Sequence, residues 1–541
     1  LAILSGVLAF LDHKELLAEL RERRRYFVTV EALAAGFYLL FVLVRLGNGD
    51  LWHPNFGGEK PMDFSYLNAV LKSTSFPPYD PWYAGGYINY YYYGFVFVGS
   101  LIKLLAIVPS FAYNLVLPTL FSFTGMGAFC VAYNLVEQGR RKIDTGRRKK
   151  EEGRGLLSLE ERMATDEAVG EIAPLLPNEA STPAPAPSSS PPLPSSYLAG
   201  IAAALAIVLL GNLGEVKLLK DGFARVSNIQ DSSPSIFGLT DDIKAVDGFF
   251  RVITGKASLP YGPGSYYWDA TRTIPVPEGE TGPITEFPFF TFLYADLHAH
   301  MIDLPLTMLG VAWAVGIVLG AKKKKRWWEW GGMFVLGGLA YGVMRPTNTW
   351  DFPVYLALGA AAAAASAWFE RESLDWKTLV NAAWRAALVV VLAVLFFRPF
   401  GQWYGAGYNS AELWKGSKTP ISAYIRVHGL FLFLIVSFMA VETRRWLAET
   451  PRSALRRIKD WIGPATFLFL AVVASALALT SLGYHIALLV IPLVAWAATL
   501  TLLPRVPVER RALFALAAGG LLLTLVVEAV VLTGDISRMN T

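Results

Sequence analysis

The chain has 541 residues, 54% of them hydrophobic and 17% charged, with a formal net charge of +5. A soluble chain of this length carries more charge and fewer long apolar runs. The single cysteine, Cys130, sits within an apolar run, which excludes an intrachain disulfide and a cysteine metal cluster.

The apolar runs are about 17–25 residues long, the length a helix needs to cross a roughly 30 Å hydrocarbon core. They show no period-2 alternation, so helices are expected and a barrel is not. In chain order the expected spans are 1–10 (partial), 26–46, 111–136, 197–215, 304–321, 328–345, 352–369, 378–398, 429–445, 462–482, 485–503 and 512–533. The predicted fold is an all-α polytopic membrane protein with about 11–12 transmembrane helices. The first residue lies inside an apolar run and the last lies just past another, so both ends read as cuts in a longer chain.

Basic residues cluster between the spans, at Lys14–Arg25, Arg140–Arg154, Lys322–Arg326, Arg444–Lys459 and Arg505–Arg511. The positive-inside rule places all five clusters in the cytoplasm. That topology explains the net charge without a nucleic-acid partner. Parity holds only if the apolar stretch Tyr91–Val108 does not cross, so it is expected to be interfacial or re-entrant. The tyrosines Tyr90–Tyr93 at its start suit the headgroup region.

Three regions follow. Residues 1–136 form an N-terminal membrane part with a first outer loop at 47–110. Residues 137–196, closing in a Pro, Ala and Ser run, read as a disordered cytoplasmic linker. Residues 197–541 form a second membrane part with a long outer loop at 216–303. The remaining outer segments are 346–351, 399–428, 483–484 and 534–541. His53, His298, His300, His428 and His485 then lie on or at the outer side and only His13 lies inside, which points to an extracytoplasmic site.

Candidate residues follow from that face. Asp63 stands at the start of a short amphipathic helix, 64–73, expected to lie on the membrane with Phe64, Leu67, Val70 and Leu71 on one face. It reads either as an N-cap carboxylate or as a general base or metal ligand. Lys60 beside it, after Glu59, reads as a snorkelling lysine or a phosphate ligand. The segment from Phe76 to Tyr93, with Tyr91 and Tyr92, is an ordered aromatic loop that anchors in the interface or stacks on a sugar. Asp296, His298, His300 and Asp303 lie within eight residues. Asp296, His298 and His300 are candidate ligands for Mn²⁺, Mg²⁺ or Zn²⁺, or the histidines are hydrogen-bonded and shape a pocket. On one continuous helix Asp296 and His300 would share a face and His298 would point elsewhere. Arg345, Asn348 and Asp351 form an outer turn, with Arg398 and Arg538 at other span ends. Each arginine reads as an anion ligand or a salt-bridge partner. The aromatic loop segments Tyr267–Arg272 and Glu286–Pro288 are expected to cap the site.

The Asn-Tyr-Tyr-Tyr-Tyr-Gly run, the Asp-Leu-His-Ala-His segment, the Asn-Thr-Trp-Asp turn and the terminal Gly-Asp-x-x-Arg-Met-Asn-Thr resemble the uncharacterised "YYY" family of polytopic membrane proteins, over about Trp52 to Thr541 without the linker. That family is in turn similar to the C-type (GT-C) glycosyltransferases, which include protein O-mannosyltransferases, aminoarabinose transferases and oligosaccharyltransferases. Asp63, the helix after it and Pro77-Pro78 match their layout of an acidic residue, an interfacial helix and a Pro-rich stretch. Glu59-Lys60-Pro61 resembles a Glu-Lys-Pro element of the aminoarabinose transferases, although there it follows the acidic helix and here it precedes it. The resemblance implies a multi-pass protein of the cell membrane that transfers a sugar from a polyprenyl-phosphate donor outside the cytoplasm. Asp63 would be catalytic. Lys60, Glu59, Tyr91, Tyr92, Arg345, Asn348, Asp351 and Arg538 would bind substrate. The rival expectations are a transporter or flippase using Glu31, Glu215 and Glu528, and a silent scaffold of a membrane complex.

Overall fold

The computed structural model describes all residues except 1, 52–57, 167–194, 230–238, 263, 280–281, 374, 406, 452–461, 504–505 and 535–541. His53 and Arg538 lie outside the described residues, as does the Pro-rich part of the expected linker.

The first membrane part opens with α1 (Ala2–Leu11), α2 (His13–Glu22) and α3 (Arg24–Gly47), followed by the short helices α4 (Lys60–Lys72) and α5 (Tyr93–Leu105). Then come α6 (Pro109–Asp166) and α7 (Ser195–Val208). The helix α6 therefore runs on through the expected linker as far as Asp166. A loop-borne group follows: α8 (Gly214–Arg225), α9 (Leu239–Ile253), α10 (Ser265–Trp268) and α11 (Pro288–Tyr294). The second membrane part contains α12 (Ala299–Leu319), α13 (Trp327–Gly342), α14 (Met344–Thr347), α15 (Asp351–Arg371), α16 (Trp376–Phe396), α17 (Arg398–Gly401) and α18 (Ile421–Glu449). It ends in α19 (Ile462–Ser481), α20 (Ala487–Leu502) and α21 (Val508–Ala529). Eight of these, α3, α6, α12, α15, α16, α18, α19 and α21, are long and apolar enough to cross a membrane, while α5, α7 and α20 are shorter apolar helices. This is a helical membrane protein, and each expected span falls on a helix.

Some spans end earlier than the sequence implied. The 197–215 segment stops at Val208, because Asn212 is pinned by its own side chain: Nδ2 donates to Ala270 O at 2.7 Å while Oδ1 accepts from Gly214 N at 2.8 Å. The last span ends at Ala529, where β2 (Val530–Gly534) pairs antiparallel with β1 (Tyr408–Leu413). Its Val-Val-Leu-Thr residues suit a pleated strand and, once paired, need no helical bonds.

The non-crossing of 91–108 follows from how α3 and α6 pack. At one end Arg23 Nη2 donates to Asn134 Oδ1 at 3.0 Å. At the other, Arg45 Nε donates to the same atom type of Asn114 at 3.1 Å, and Asn114 Nδ2 donates to Gly49 O at 3.2 Å. The two helices are antiparallel, so residues 48–108 leave and return on one face. Helix α5, at 13 residues, spans only about 20 Å. Helix α12 runs parallel to the first half of α6: Leu297 N donates to Tyr113 Oη at 2.8 Å near their starts, and Gln138 Nε2 to Leu319 O at 3.4 Å where α12 ends. A core of Phe41, Phe95, Phe121, Phe292, Leu67 and Met301 joins α3, α4, α5, α6, α11 and α12 beneath that face. Two further cores lie among α12, α13, α15 and α16, and among α18, α20 and α21.

Candidate functional site

Helix α4 begins at Lys60, four residues before the expected start, with Pro61 in its first turn. Asp63 is therefore not an N-cap residue. It lies inside the first turn on the buried face with Tyr66, Leu67 and Val70, and it is fully buried. The face of Phe64, Leu67, Val70 and Leu71, expected to lie on the membrane, packs on the protein core instead, with Leu67 and Val70 buried and Phe64 and Leu71 half-buried.

The partner segment breaks where a continuous helix was expected. Ala295 adopts φ 61 and closes α11, and His298 is extended at the N-cap of α12. This break turns Asp296 and His298 toward one cluster, which a helix could not do. Gly58, at φ +59, lets the backbone run against Asp296, and an added Cβ there would sit 2.9 Å from Asp296 Oδ2. Glu59 N then donates to Asp296 Oδ2 at 2.9 Å.

Asp63 and Asp296 form a carboxyl pair. Neither Asp63 oxygen has a partner if both groups are ionised. The contact is satisfied when Asp63 holds a proton and donates it to Asp296. Burial, and then the Asp296 charge, push the Asp63 carboxyl well above the usual carboxylate range. Burial also raises Asp296, while Glu59 N, Asp63 and nearby cations oppose that rise. Lys60 is buried beside the pair, with Nζ 5.3 Å from the centre of the Tyr294 ring. Burial lowers its ammonium, and the Asp296 charge opposes the fall.

His298 continues the cluster outward. Its Nε2 lies 2.7 Å from Glu59 Oε2 and 2.8 Å from Tyr90 Oη, and its Nδ1 lies 2.8 Å from His300 Nδ1. His300 Nε2 is in turn 3.1 Å from Glu286 Oε2, within ion-pair range but without hydrogen-bond alignment. Two facing Nδ1 atoms need one proton between them. The arrangement fits His298 as imidazolium, donating to Glu59 and to His300. Burial disfavours that charge, but Glu59, with Asp296 and Glu286, holds His298 above the usual histidine range. The hydrogen bond from His298 lowers Glu59. Burial would raise Glu286, yet His300 and Thr291 bring it below the usual range.

The remaining candidates divide. Tyr91 packs on Tyr90 with the rings tilted, centres 4.0 Å apart, and hydrogen-bonds toward Trp350, so it bridges the carboxyl cluster and the Arg345 turn. Tyr92 is core, packed on Phe76 and Phe400. Arg345 lies against Gly401 and beside Tyr404. It makes no ion pair with Asp351 among the described residues; the Asp351 carboxylate accepts from Asn348 Nδ2 at 2.6 Å and faces the fully buried Asp303. Asp351 and Asp303 thus form a second carboxyl pair, to which Asn348 donates. Tyr90, expected only as one of four interfacial tyrosines, and Glu286, expected only within a capping segment, are members of the cluster itself; nothing in the sequence distinguishes Tyr90 from its three neighbours. Among the described residues no group of three or more His, Cys, Asp or Glu side chains is arranged to hold a metal ion. His298 and His300 hydrogen-bond to each other, and Asp296 accepts from Glu59 N.

Glu31 is exposed on α3, Glu215 belongs to α8, and Glu528 accepts from Thr419 N at 3.1 Å at the end of α21. The three do not line one path.

No curated protein and no solved structure matches the chain. A family model described as "Uncharacterized membrane protein (DUF2298)" matches residues 1–541, and the chain belongs to that family.

Proposed function

We propose that the protein is a glycosyltransferase of the GT-C type, using a polyprenyl-phosphate-linked sugar on the extracytoplasmic face of the cell membrane. The observation that carries this reading is the Asp63–Asp296 carboxyl pair, which the first loop and the α11–α12 bend build on the face opposite the basic clusters. The acceptor hydroxyl attacks the anomeric carbon, the bond from that carbon to the phosphate oxygen breaks, and the lipid phosphate leaves with the electron pair. The acceptor's proton passes to the carboxyl pair, which holds one proton at rest and takes a second. Arg345, across the Tyr90–Tyr91 pair, and Lys60 stabilise the departing phosphate. Inversion at the anomeric carbon follows from a single displacement. A divalent cation at Asp296, His298 and His300 would have to compete with the proton between the two imidazoles.

Purified protein incubated with labelled polyprenyl-phosphate sugars and a panel of acceptors tests the reading. Transfer or slow donor hydrolysis that disappears in Asp63→Asn supports it. Neither product across the panel, with Asp63→Asn cells unchanged, overturns it.

The fully buried Asp303, paired with the half-buried Asp351, favours a second reading, transport of an ion or lipid, since paired carboxyls in membrane helices occur in proton paths. Flux in liposomes that depends on Asp303 and not on Asp63 would select it.

A further inference from the structure

We propose that helix α9 docks on the lipid bilayer, seating an apolar stripe in the leaflet on the site's own face. Leu239, Ile243, Val246, Phe250 and Ile253 recur at intervals of four and three, so they form one stripe along the whole helix. All five are between 52% and 64% exposed, in a loop segment where sporadic exposure would leave no such register.

The rest of the helix is committed to α8. Gly248 lies opposite the stripe, so close to α8 that an added Cβ would sit 1.8 Å from Phe223 O. On one flank Asp247 Oδ2 accepts from Ser227 Oγ at 2.7 Å and Asn228 N at 3.0 Å, and Arg251 Nε donates to Val226 O at 2.9 Å. On the other flank Lys220 pairs with Asp242. The polar and glycine faces are thus used up within the hairpin, and the apolar stripe points away from it.

The depth of the hairpin selects the occupant. Helix α8 starts at Gly214, just after the apolar helix α7 ends at Val208. Leu213 N donates to Arg426 O at 2.7 Å, in the opening turns of the membrane helix α18. The hairpin is rooted where the apolar helix α7 ends and the membrane helix α18 begins, the level at which a leaflet surface lies. A helix with a charged flank and an apolar stripe at that level is stabilised by burying the stripe among acyl chains. This inference does not depend on the glycosyl-transfer reading.

The test uses the full chain in liposomes with Cys130→Ser, carrying one nitroxide-labelled cysteine at a time. Val246→Cys, Leu239→Cys and Ile253→Cys report on the stripe and Asp241→Cys on an exposed polar position off the stripe. The expected result is a severalfold higher ratio of oxygen to nickel-chelate collisions at the three stripe positions than at Asp241. Equal access of the nickel chelate at all four overturns the proposal, because the stripe then faces water. Low access of both reagents at the stripe also overturns it, because a second copy or another protein then covers the helix. These substitutions lie on exposed positions, and monodisperse elution of each variant confirms the fold before labelling.

Discussion

Asp63 of α4 and Asp296 of the α11–α12 bend present their carboxyl groups to each other, and Glu59 N fixes the second of them from the residue next to α4. Two carboxyl groups in contact cannot both ionise at ordinary pH. The pair therefore holds a proton in the folded protein that the unfolded chain releases.

The sign of the resulting pH dependence is fixed by the Asp63 shift. Its folded value is raised, so the stability tied to its proton is complete below about pH 4 and is lost as pH rises through the folded value. Each pH unit inside that window costs about 1.4 kcal/mol. In Asp63→Asn the amide keeps the hydrogen bond to Asp296 without a proton to lose. Its thermal midpoint should exceed that of the wild type by a margin that grows with pH, and parallel profiles would contradict this.

The His298–Glu59 pair has the complementary window. His298 is raised, so its contribution is full below about pH 6.5 and falls as pH rises through the folded value. Glu59 is lowered, and its contribution is full above about pH 4.5 and falls as pH drops through its folded value. Glu59 is half exposed, so the pair is worth only about 0.5–1 kcal/mol. Nitrogen-15 spectra of labelled histidine should show His298 titrating later than free imidazole, and Glu59→Gln should bring its midpoint down.

A cation entering the histidine pair must displace the proton between the two Nδ1 atoms. Zn²⁺ or Mn²⁺ affinity there should drop about tenfold per pH unit once His298 is protonated. Calorimetry in buffers of different ionisation heat measures the released proton. Uptake without proton release would place the ion elsewhere.

Arg345 bears on the departing phosphate under the proposed chemistry. Arg345→Ala should lower kcat/KM for the donor on the order of a hundredfold, with Arg345→Lys intermediate. An unchanged value in both would remove Arg345 from the site.

Gly248→Ala forces backbone apart, since the new Cβ would meet Phe223 O. The α8–α9 hairpin should lose about 1–3 kcal/mol, seen as faster amide exchange over 239–253. Ala at Gly331, which has open space around it, serves as the control.

The membrane architecture was legible because lipid demands long apolar helices and basic segments mark one side of them. The same parity placed Asp63 and His298 on one face, which Arg45–Asn114 and Tyr113–Leu297 bear out. Local geometry was not legible. Ala295 gives no signal of the left-handed turn that frees His298 from the helix. The Val530–Thr533 run reads as the end of a span until its partner at 410–413 is known. Tyr90 and Tyr92 are identical in the sequence, and only the packing of α5 sends one to His298 and the other into the core.

The return of the chain beside Arg45 also sets an order of assembly during synthesis. Helices α3 and α6 can close on each other as soon as both have left the ribosome, holding the first loop as a tethered excursion. The loop cannot then finish folding: Gly94 of α5 packs on Ile302, and Asp63 needs Asp296, both far downstream. At about 5–20 residues per second that wait lasts on the order of ten seconds. Throughout it Asp63 stays hydrated and ionised, so taking up its proton is among the last events by which this half of the molecule matures.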